Sequence, residues 1–175
     1  LQVVDISTPA SPSQVGSLDV AGDGDARGVF VSGSTLYMVR DSAAEDEFIV
    51  IDISTPTSPT LLGSVDLGDT GREVVVLGDY AYVASQANTS ELQVVDISTP
   101  ASPSVVGTYD ASGTSDALSI AGISTSTVIF GRINGDVYLV SGDTPSSPSL
   151  LSTYSATTSI NDISIGNSET YAFMA

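Results

Sequence analysis

The most distinctive charged side chains in this sequence are its four arginines, because the chain contains no lysine and no histidine. Arg27 and Arg72 lie 45 residues apart, and Asp116 and Asn161 follow at intervals of 44 and 45 residues. Side chains at a constant interval in a repetitive sequence occupy equivalent places, so we expect these four to meet at one site. Two guanidinium groups there could bind an anion or a carboxylate, whereas an ion pair between Arg72 and Asp116 is the structural alternative.

Two acidic loops carry the oxygen ligands that calcium prefers. The first contains Asp19, Asp23 and Asp25, and the second contains Asp41, Glu45, Asp46 and Glu47. Neither loop has the spaced D-x-D-x-D-G pattern with a distal glutamate that specifies a calcium site, so solvated acidic loops are the alternative. Apart from this candidate calcium, the sequence predicts no cofactor.

The composition excludes most catalytic chemistry. The 175 residues include 21 Asp and Glu but no Cys, no His and no Trp. Thiolate, imidazole and Schiff-base chemistry, and zinc sites with nitrogen or sulfur ligands, are therefore excluded. Carboxylates remain, but none recurs in a setting that would raise its pKa. We predict that the chain is not an enzyme, with a carboxylate-based hydrolase as the less favoured alternative.

The net charge of −17 would repel nucleic acid and anionic membranes. The longest apolar runs are far shorter than the roughly 20 residues of a membrane-spanning helix. The expected partners are therefore other proteins or copies of this chain, with no nucleic acid and no membrane insertion within the chain.

Three aspartates recur at the start of the same turn sequence, Asp-Ile-Ser-Thr-Pro: Asp5, Asp52 and Asp96. An aspartate at such a place can accept backbone N–H bonds and fix the turn, so we predict a structural role for all three. Ser141 stands at this position in a fourth, looser copy, and its shorter side chain predicts a less well specified turn.

These residues belong to a repeat of about 45 residues. The phrase VVDISTPASP starts at Val3 and at Val94, VIDISTPTSP starts at Val50, and the looser LVSGDTPSSP starts at Leu139. The first proline of each copy follows the previous one by 47, 44 and 45 residues. A fixed period of this length is typical of a protein built from stacked structural units.

Each unit contains four short runs rich in Val, Ile, Leu and Tyr, separated by turn residues, and none shows a sustained helical period. In one unit the runs are 73–77, 80–84, 92–97 and 105–109. A small four-stranded sheet cannot bury both faces alone, so the copies are expected to stack around an axis as the blades of a β-propeller. The sequence thus predicts an all-β fold of about four four-stranded antiparallel blades, whose innermost strands face neighbouring blades through Val29, Val31, Val74, Val76, Leu118 and Ile120.

The phrase VVDISTPASP, followed by VGS, an ARG-V-x-V-x-G strand and a YxYV strand, resembles the LVIVD repeat. The resemblance extends over essentially the whole chain, although the fourth unit has Ser141-Gly142-Asp143 where the others have Asp-Ile-Ser. It implies a propeller fold, of a kind found in bacterial and archaeal proteins that are often at the cell surface. It implies no established catalytic residues.

The phase of the repeats predicts one blade made from both ends of the chain. Residues 1–20 read as the third and fourth strands of a blade, and residues 160–175 read as the first and second. We therefore expect residues 1–175 to form a single propeller domain, or a fragment of a larger propeller, with units of about 1–20 plus 160–175, 21–67, 68–110 and 111–159. The two end segments should share a sheet or pair with strands from outside the chain.

The predicted function is that of a non-catalytic, extracellular or cell-surface scaffold for protein interaction or structural assembly. An acidic surface without lysine suits such a setting, and Asn88-Thr-Ser90 is a candidate glycosylation acceptor. The alternative is a ligand-binding or ion-binding propeller module, for calcium or carbohydrate, of a larger surface protein.

Overall fold

The computed structural model describes residues 1–41, 44–166 and 170–175. Within these residues the chain forms sixteen β-strands and no helix, and hence no helix that could cross a membrane. Every strand pairs antiparallel with a sequence neighbour. The predicted all-β propeller class is confirmed.

Three sheets are complete four-stranded blades whose strands follow one another in chain order. The first blade contains β3 (Ala26–Ser32), β4 (Thr35–Arg40), β5 (Phe48–Asp52) and β6 (Thr60–Val65). The second contains β7 (Gly71–Leu77), β8 (Tyr80–Ser85), β9 (Leu92–Asp96) and β10 (Ser104–Tyr109). The third contains β11 (Ala117–Gly122), β12 (Thr127–Arg132), β13 (Asp136–Ser141) and β14 (Ser149–Ser155).

Two hairpins flank the three blades. The leading hairpin is β1 (Gln2–Asp5) with β2 (Ser13–Ser17), and the trailing hairpin is β15 (Ile163–Gly166) with β16 (Tyr171–Met174). Each hairpin forms its own two-stranded sheet. The described strands therefore form three complete blades and two half-blades, one before the first complete blade and one after the third.

The first strand of each blade is the inner one. β3 contacts β7, β7 contacts β11, and β11 contacts β15, so these four strands follow one another around the axis. To reach the next inner strand, the chain must cross back from an outer strand. Four crossing segments do this, over residues 18–25, 66–70, 110–116 and 156–162.

The apolar core lies between blades rather than within them. Tyr37, Val39 and Phe48 of the first blade pack with Val83 and Val95 of the second. The opposite face of the second blade packs against the third through a separate cluster. Successive residues of a strand point to opposite faces, and this explains why β4, β8 and β12 are almost continuously buried.

A recurrent glycine brings the outer strands β2, β6 and β10 close to the following blade. A Cβ at Gly107 would lie 2.0 Å from the carbonyl oxygen of Pro145, and one at Gly63 would lie 2.7 Å from that of Pro100. The prolines belong to the Ser-Thr-Pro or Asp-Thr-Pro turns of the next sheet. The repeat therefore needs glycine here because only a hydrogen fits between two backbones.

The end segments do not form a joint sheet in this structure, since the leading and trailing hairpins are separate. One expectation about the inner strands is wrong for the same reason. Val74 and Ile120 are buried, but Val29 and Val31 are 58% and 53% exposed. No inner strand of a preceding blade covers β3 within the described chain.

The glycine contact yields a test of the fold. Gly107→Ala forces a methyl group against the Pro145 carbonyl, and overpacking of this kind costs about 1–3 kcal/mol. Urea unfolding should show that loss for Gly107→Ala and little change for the matched control Ser152→Ala, which lies at the equivalent, exposed place on β14. Equal losses for the two variants would contradict the close contact between Gly107 and the following blade.

Candidate functional site

A cavity of about 480 Å³ lies where the inner strands converge. Its walls come from β3, β7 and β11 and from the residue that precedes the trailing hairpin by two positions. The lining residues are Arg27, Gly28, Val29, Arg72, Glu73, Leu118 and Asn161. The predicted meeting of Arg27, Arg72 and Asn161 therefore occurs.

Leu118, rather than Asp116, supplies the third blade's contribution to this cavity. Each inner strand of the three complete blades has a β-bulge at its second residue, which is Arg27, Arg72 or Leu118. A bulge leaves its residue without a cross-strand partner and re-aims the side chain. The crossing segment 110–116 is longer than 66–70, so equal spacing along the sequence does not give equal register.

Asp116 makes a different contact, accepting a hydrogen bond from Gln86 Nε2 at 2.8 Å. The alternative expectation of an Arg72–Asp116 ion pair is not met among the described residues. Arg27 instead forms a two-point ion pair with Asp41. This contact raises the pKa of Arg27 and lowers that of Asp41, and the charge of Arg72 lowers the Asp41 pKa further.

The cavity wall also contains a carboxyl group with a raised pKa, that of Glu73. Glu73 Oε2 accepts a hydrogen bond from the Ile120 amide at 2.7 Å. Burial raises the pKa of Glu73 despite this bond, and the nearby charge of Asp162 adds to the rise. Burial also raises the pKa of Glu47. The expectation that no carboxyl group would have a raised pKa is therefore wrong.

A buried ion pair lies between the second and third blades. Arg132 Nη2 lies 3.3 Å from Glu91 Oε1, with the two side chains 1% and 0% exposed. The same guanidinium donates to the carbonyls of Ser112 and Ser115 at 3.0 and 2.7 Å and to the Tyr138 hydroxyl at 3.1 Å. Its hydrogen bonds thus hold one crossing segment in place.

In the same crossing segment, Glu91 Oε2 accepts the Ala111 amide at 2.9 Å. The crossing segments 66–70 and 18–25 are held in a similar way. Glu47 Oε2 accepts the Leu67 amide at 2.8 Å, and Gln93 Nε2 donates to the Leu67 carbonyl at 2.9 Å. Arg40 donates to the Ala21 carbonyl at 2.7 Å. The sequence analysis did not predict that these buried polar side chains bind the crossing segments. The recurrence of Glu47 and Glu91 directly before the third strand of a blade could have indicated it.

The acidic residues proposed for calcium have varied roles. Asp41 pairs with Arg27, Asp46 accepts a hydrogen bond from the Ser64 hydroxyl, and Glu47 is buried. One oxygen of Glu45 is buried without a hydrogen-bond partner in the described structure. The remaining candidates lie in the crossing segment 18–25: Asp19, Asp23 and Asp25. Among the described residues, no three acidic side chains come together as a metal-binding group.

The repeated aspartates all hold turns. Asp5, Asp52 and Asp96 each accept the amide of the serine two residues later, at 2.8, 2.8 and 2.9 Å. Hydrogen bonds from these serines lower the pKa of each aspartate. Ser141 makes the corresponding bond through its hydroxyl, which accepts the Asp143 amide at 3.2 Å. Asn88, the candidate glycosylation acceptor, is exposed in a turn.

Comparison with known proteins identifies the family. The LVIVD repeat matches residues 1–20, 23–67 and 68–111. The chain belongs to the LVIVD repeat family, and the match ends before the looser unit that contains Ser141. No curated protein matches the sequence.

Solved structures show the same fold at low identity. The chain is similar to the computationally designed Ika4 protein, with a TM-score of 0.68 and 14% identity over 89% of this chain and 88% of Ika4. It is also similar to the computationally designed Ika8 protein, with a TM-score of 0.67 and 14% identity over 90% of this chain. It spans only 45% of the length of Ika8.

Breaking the buried Glu91–Arg132 ion pair should lower the free energy of unfolding far more than replacing Arg27 and Arg72 of the cavity. Glu91→Gln leaves the Arg132 charge uncompensated in the core, and breaking a buried pair costs about 3–5 kcal/mol. Urea unfolding should show this loss, and Glu91→Gln combined with Arg132→Met should recover part of it. The control Arg27→Gln/Arg72→Gln changes two cavity arginines that lie outside the core and should leave folding mostly intact. A Glu91→Gln variant as stable as the wild type would refute the assigned role.

The raised pKa of Glu73 predicts a pH dependence of stability. The folded state holds this proton to higher pH than the unfolded state, whose reference pKa is 4.5. The free energy of unfolding should therefore fall as pH rises from about 4.5 through the folded-state pKa. In Glu73→Gln this fall should be smaller, because the amide carries no charge. Superimposable stability profiles for the two proteins would argue against a buried, protonatable Glu73.

Proposed function

We propose that this protein is a non-catalytic scaffold for protein interaction or assembly, located outside the cell or at its surface. The observation that carries the proposal is an apolar face on the outer strand β14, where Leu151 and Tyr154 are 57% and 58% exposed. Their equivalents in the second blade, Val106 and Tyr109, pack against the third blade. Leu151 and Tyr154 therefore lie on a face of the kind that takes another protein surface.

The polar groups support a scaffold rather than an enzyme. The repeated aspartates hold turns, and the buried Glu47, Glu91 and Arg132 hold crossing segments. The raised-pKa carboxyl of Glu73 is occupied by the Ile120 amide. Carboxylate-based hydrolysis needs two acids placed on either side of a substrate bond. The acidic residues named above instead form hydrogen bonds that stabilise turns, crossing segments and neighbouring strands.

Surface chemistry supports an extracellular location. The chain has a net charge of −17 and contains no lysine. A strongly acidic surface keeps a protein soluble in the presence of salt. Asn88 is exposed and so is accessible to a glycan.

A ligand-binding function is the second candidate, and one observation favours it. The cavity between the inner strands holds Arg72, which has no ion-pair partner among the described residues, beside Asn161. A carboxylate or another small anion suits these two donors better than calcium does. Arg27→Gln/Arg72→Gln should abolish such binding and leave a scaffold function unaffected.

The scaffold function predicts two outcomes with purified protein. Glycan, peptide and ester substrates should not be turned over, and a turnover that Glu73→Gln or another single carboxylate substitution abolished would contradict the proposal. Immobilised wild-type protein should retain a partner from an extracellular fraction, and Leu151→Ser/Tyr154→Ser should lose it. The matched control is Leu150→Ser on the same strand, because the equivalent Leu61 is also half exposed in a complete blade.

A further inference from the structure

Arg72 differs from the other arginines because its guanidinium contacts no carboxylate and no carbonyl among the described residues. The other three all have such partners: Arg27 with Asp41, Arg40 with two backbone carbonyls, and Arg132 with Glu91. Asp41 is close enough for the charge of Arg72 to lower its pKa, but both of its oxygens accept hydrogen bonds from Arg27. A free guanidinium in a chain with a net charge of −17 indicates a place for an anion from outside the chain.

A second free donor, the side-chain amide of Asn161, lines the same cavity. Its crossing segment is fixed in place, because Ile160 is buried and the Ile160 amide donates to the Arg132 carbonyl at 3.2 Å. The Arg72 backbone is also fixed, since a Cβ at Gly28 on β3 would lie only 3.0 Å from the Arg72 carbonyl oxygen. Two donors without partners therefore line one cavity from backbone that packing holds in position.

The size and the charge of the cavity select the kind of anion. Its volume of about 480 Å³ falls within the roughly 300–1,000 Å³ of small-molecule sites. The charges of Arg27 and Asp41 compensate each other, so Arg72 offers one free positive charge. Two carboxyl groups, those of Glu73 and Asp162, lie close by. They would repel a dianion such as sulfate more strongly than a monoanion.

The shape of the donors favours a carboxylate among the monoanions. A guanidinium presents two parallel N–H groups that match the two oxygens of a carboxylate, and a spherical chloride ion cannot use both. The half-buried Leu118 belongs to the same cavity wall. It offers an apolar surface to a short hydrocarbon group attached to the carboxylate.

We propose that the cavity binds a small monocarboxylate, whose oxygens accept hydrogen bonds from the Arg72 guanidinium and the Asn161 side-chain amide. The inference rests on the ligand-binding function given above as the second candidate, and it names the class of ligand. Two kinds of molecule carry such a group: a free organic acid and the C-terminal end of another protein chain. The site recognises the carboxylate that they share.

Glu73 makes this binding depend on pH. Burial raises the pKa of Glu73, and Asp162 adds to the rise, while the bond from the Ile120 amide opposes it. The charged groups that surround Glu73 are Arg27 on β3, Arg72 on its own strand and Asp162 in the following crossing segment. A bound carboxylate adds negative charge and favours the neutral form of Glu73, so binding takes up a proton. Affinity should therefore fall as pH rises through the folded-state pKa of Glu73.

Titration with sodium propionate at constant ionic strength tests the site. Binding is measured by calorimetry and by the NMR signals of the Arg72 Nε–H and Asn161 side-chain amide groups, and we expect saturation that sodium chloride does not reproduce. Arg72→Gln should weaken binding by about tenfold or more, which is the worth of a hydrogen bond to a charged group. Asn161→Ala, at an exposed position, should weaken it by a smaller factor. The matched control Gln14→Glu also lowers the net charge by one, on an exposed part of β2, and should bind as the wild type does.

Two further arms test the proton and the source of the carboxylate. Glu73→Gln should bind propionate with little dependence on pH, because its amide carries no charge, and an unchanged pH profile would overturn the role of Glu73. Binding of triglycine that is lost with its C-terminal amide would assign the site to a chain end. Binding of propionate without triglycine would assign it to a free organic acid. Either assignment supports the carboxylate site.

Three results would overturn the inference. These are no saturable binding of propionate or triglycine by the wild type, wild-type affinity in both Arg72→Gln and Asn161→Ala, or equal affinity for propionate and chloride. Binding of sulfate alone through Arg72 would overturn the monocarboxylate and leave the ligand-binding function standing. Absence of binding by every anion tested would overturn both, and retention of a partner through Leu151 and Tyr154 would still decide the scaffold function.

Discussion

The chain must repeatedly cross from the outer strand of one sheet to the inner strand of the next, and the amides of Leu67 and Ala111 in two of these crossings bond to side chains rather than to strands. A buried N–H or C=O without a hydrogen bond costs about 1–3 kcal/mol, so these two crossings need side chains that supply the missing partners. At Leu67 the amide donates to Glu47 of the first blade and the carbonyl accepts from Gln93 of the second. The crossing thus joins two blades.

The crossing between the second and third blades uses the same principle with different residues. Glu91 of the second blade accepts the Ala111 amide, and Arg132 of the third donates to the Ser112 and Ser115 carbonyls. Here the two side chains also meet as an ion pair. The buried charges are therefore compensated by each other and by the backbone, and this explains how an acidic protein accommodates a fully buried arginine.

The fold could be read from the sequence because its signals repeat. Prolines at regular intervals and four apolar runs per unit predict blades, and Asp52 before its Ser-Thr-Pro turn predicts the bond to Ser54. The candidate site could be read only in part. Arg27 and Arg72 meet, but the bulge and the longer third crossing place Leu118 where Asp116 was expected. Burial of Glu73 and Glu91 depends on the packing of two blades, which no single repeat reveals.

Hydrogen exchange at individual amides measures most directly whether the crossings are structural centres of this protein. The amides of Leu67 and Ala111 lie outside the strands, but each is bonded to a buried glutamate. We expect both to exchange as slowly as the Val83 amide in the core strand β8. Exchange as fast as that of Ser54 and Ser98, whose amides bond to aspartates in exposed turns, would contradict a structural role for the crossings.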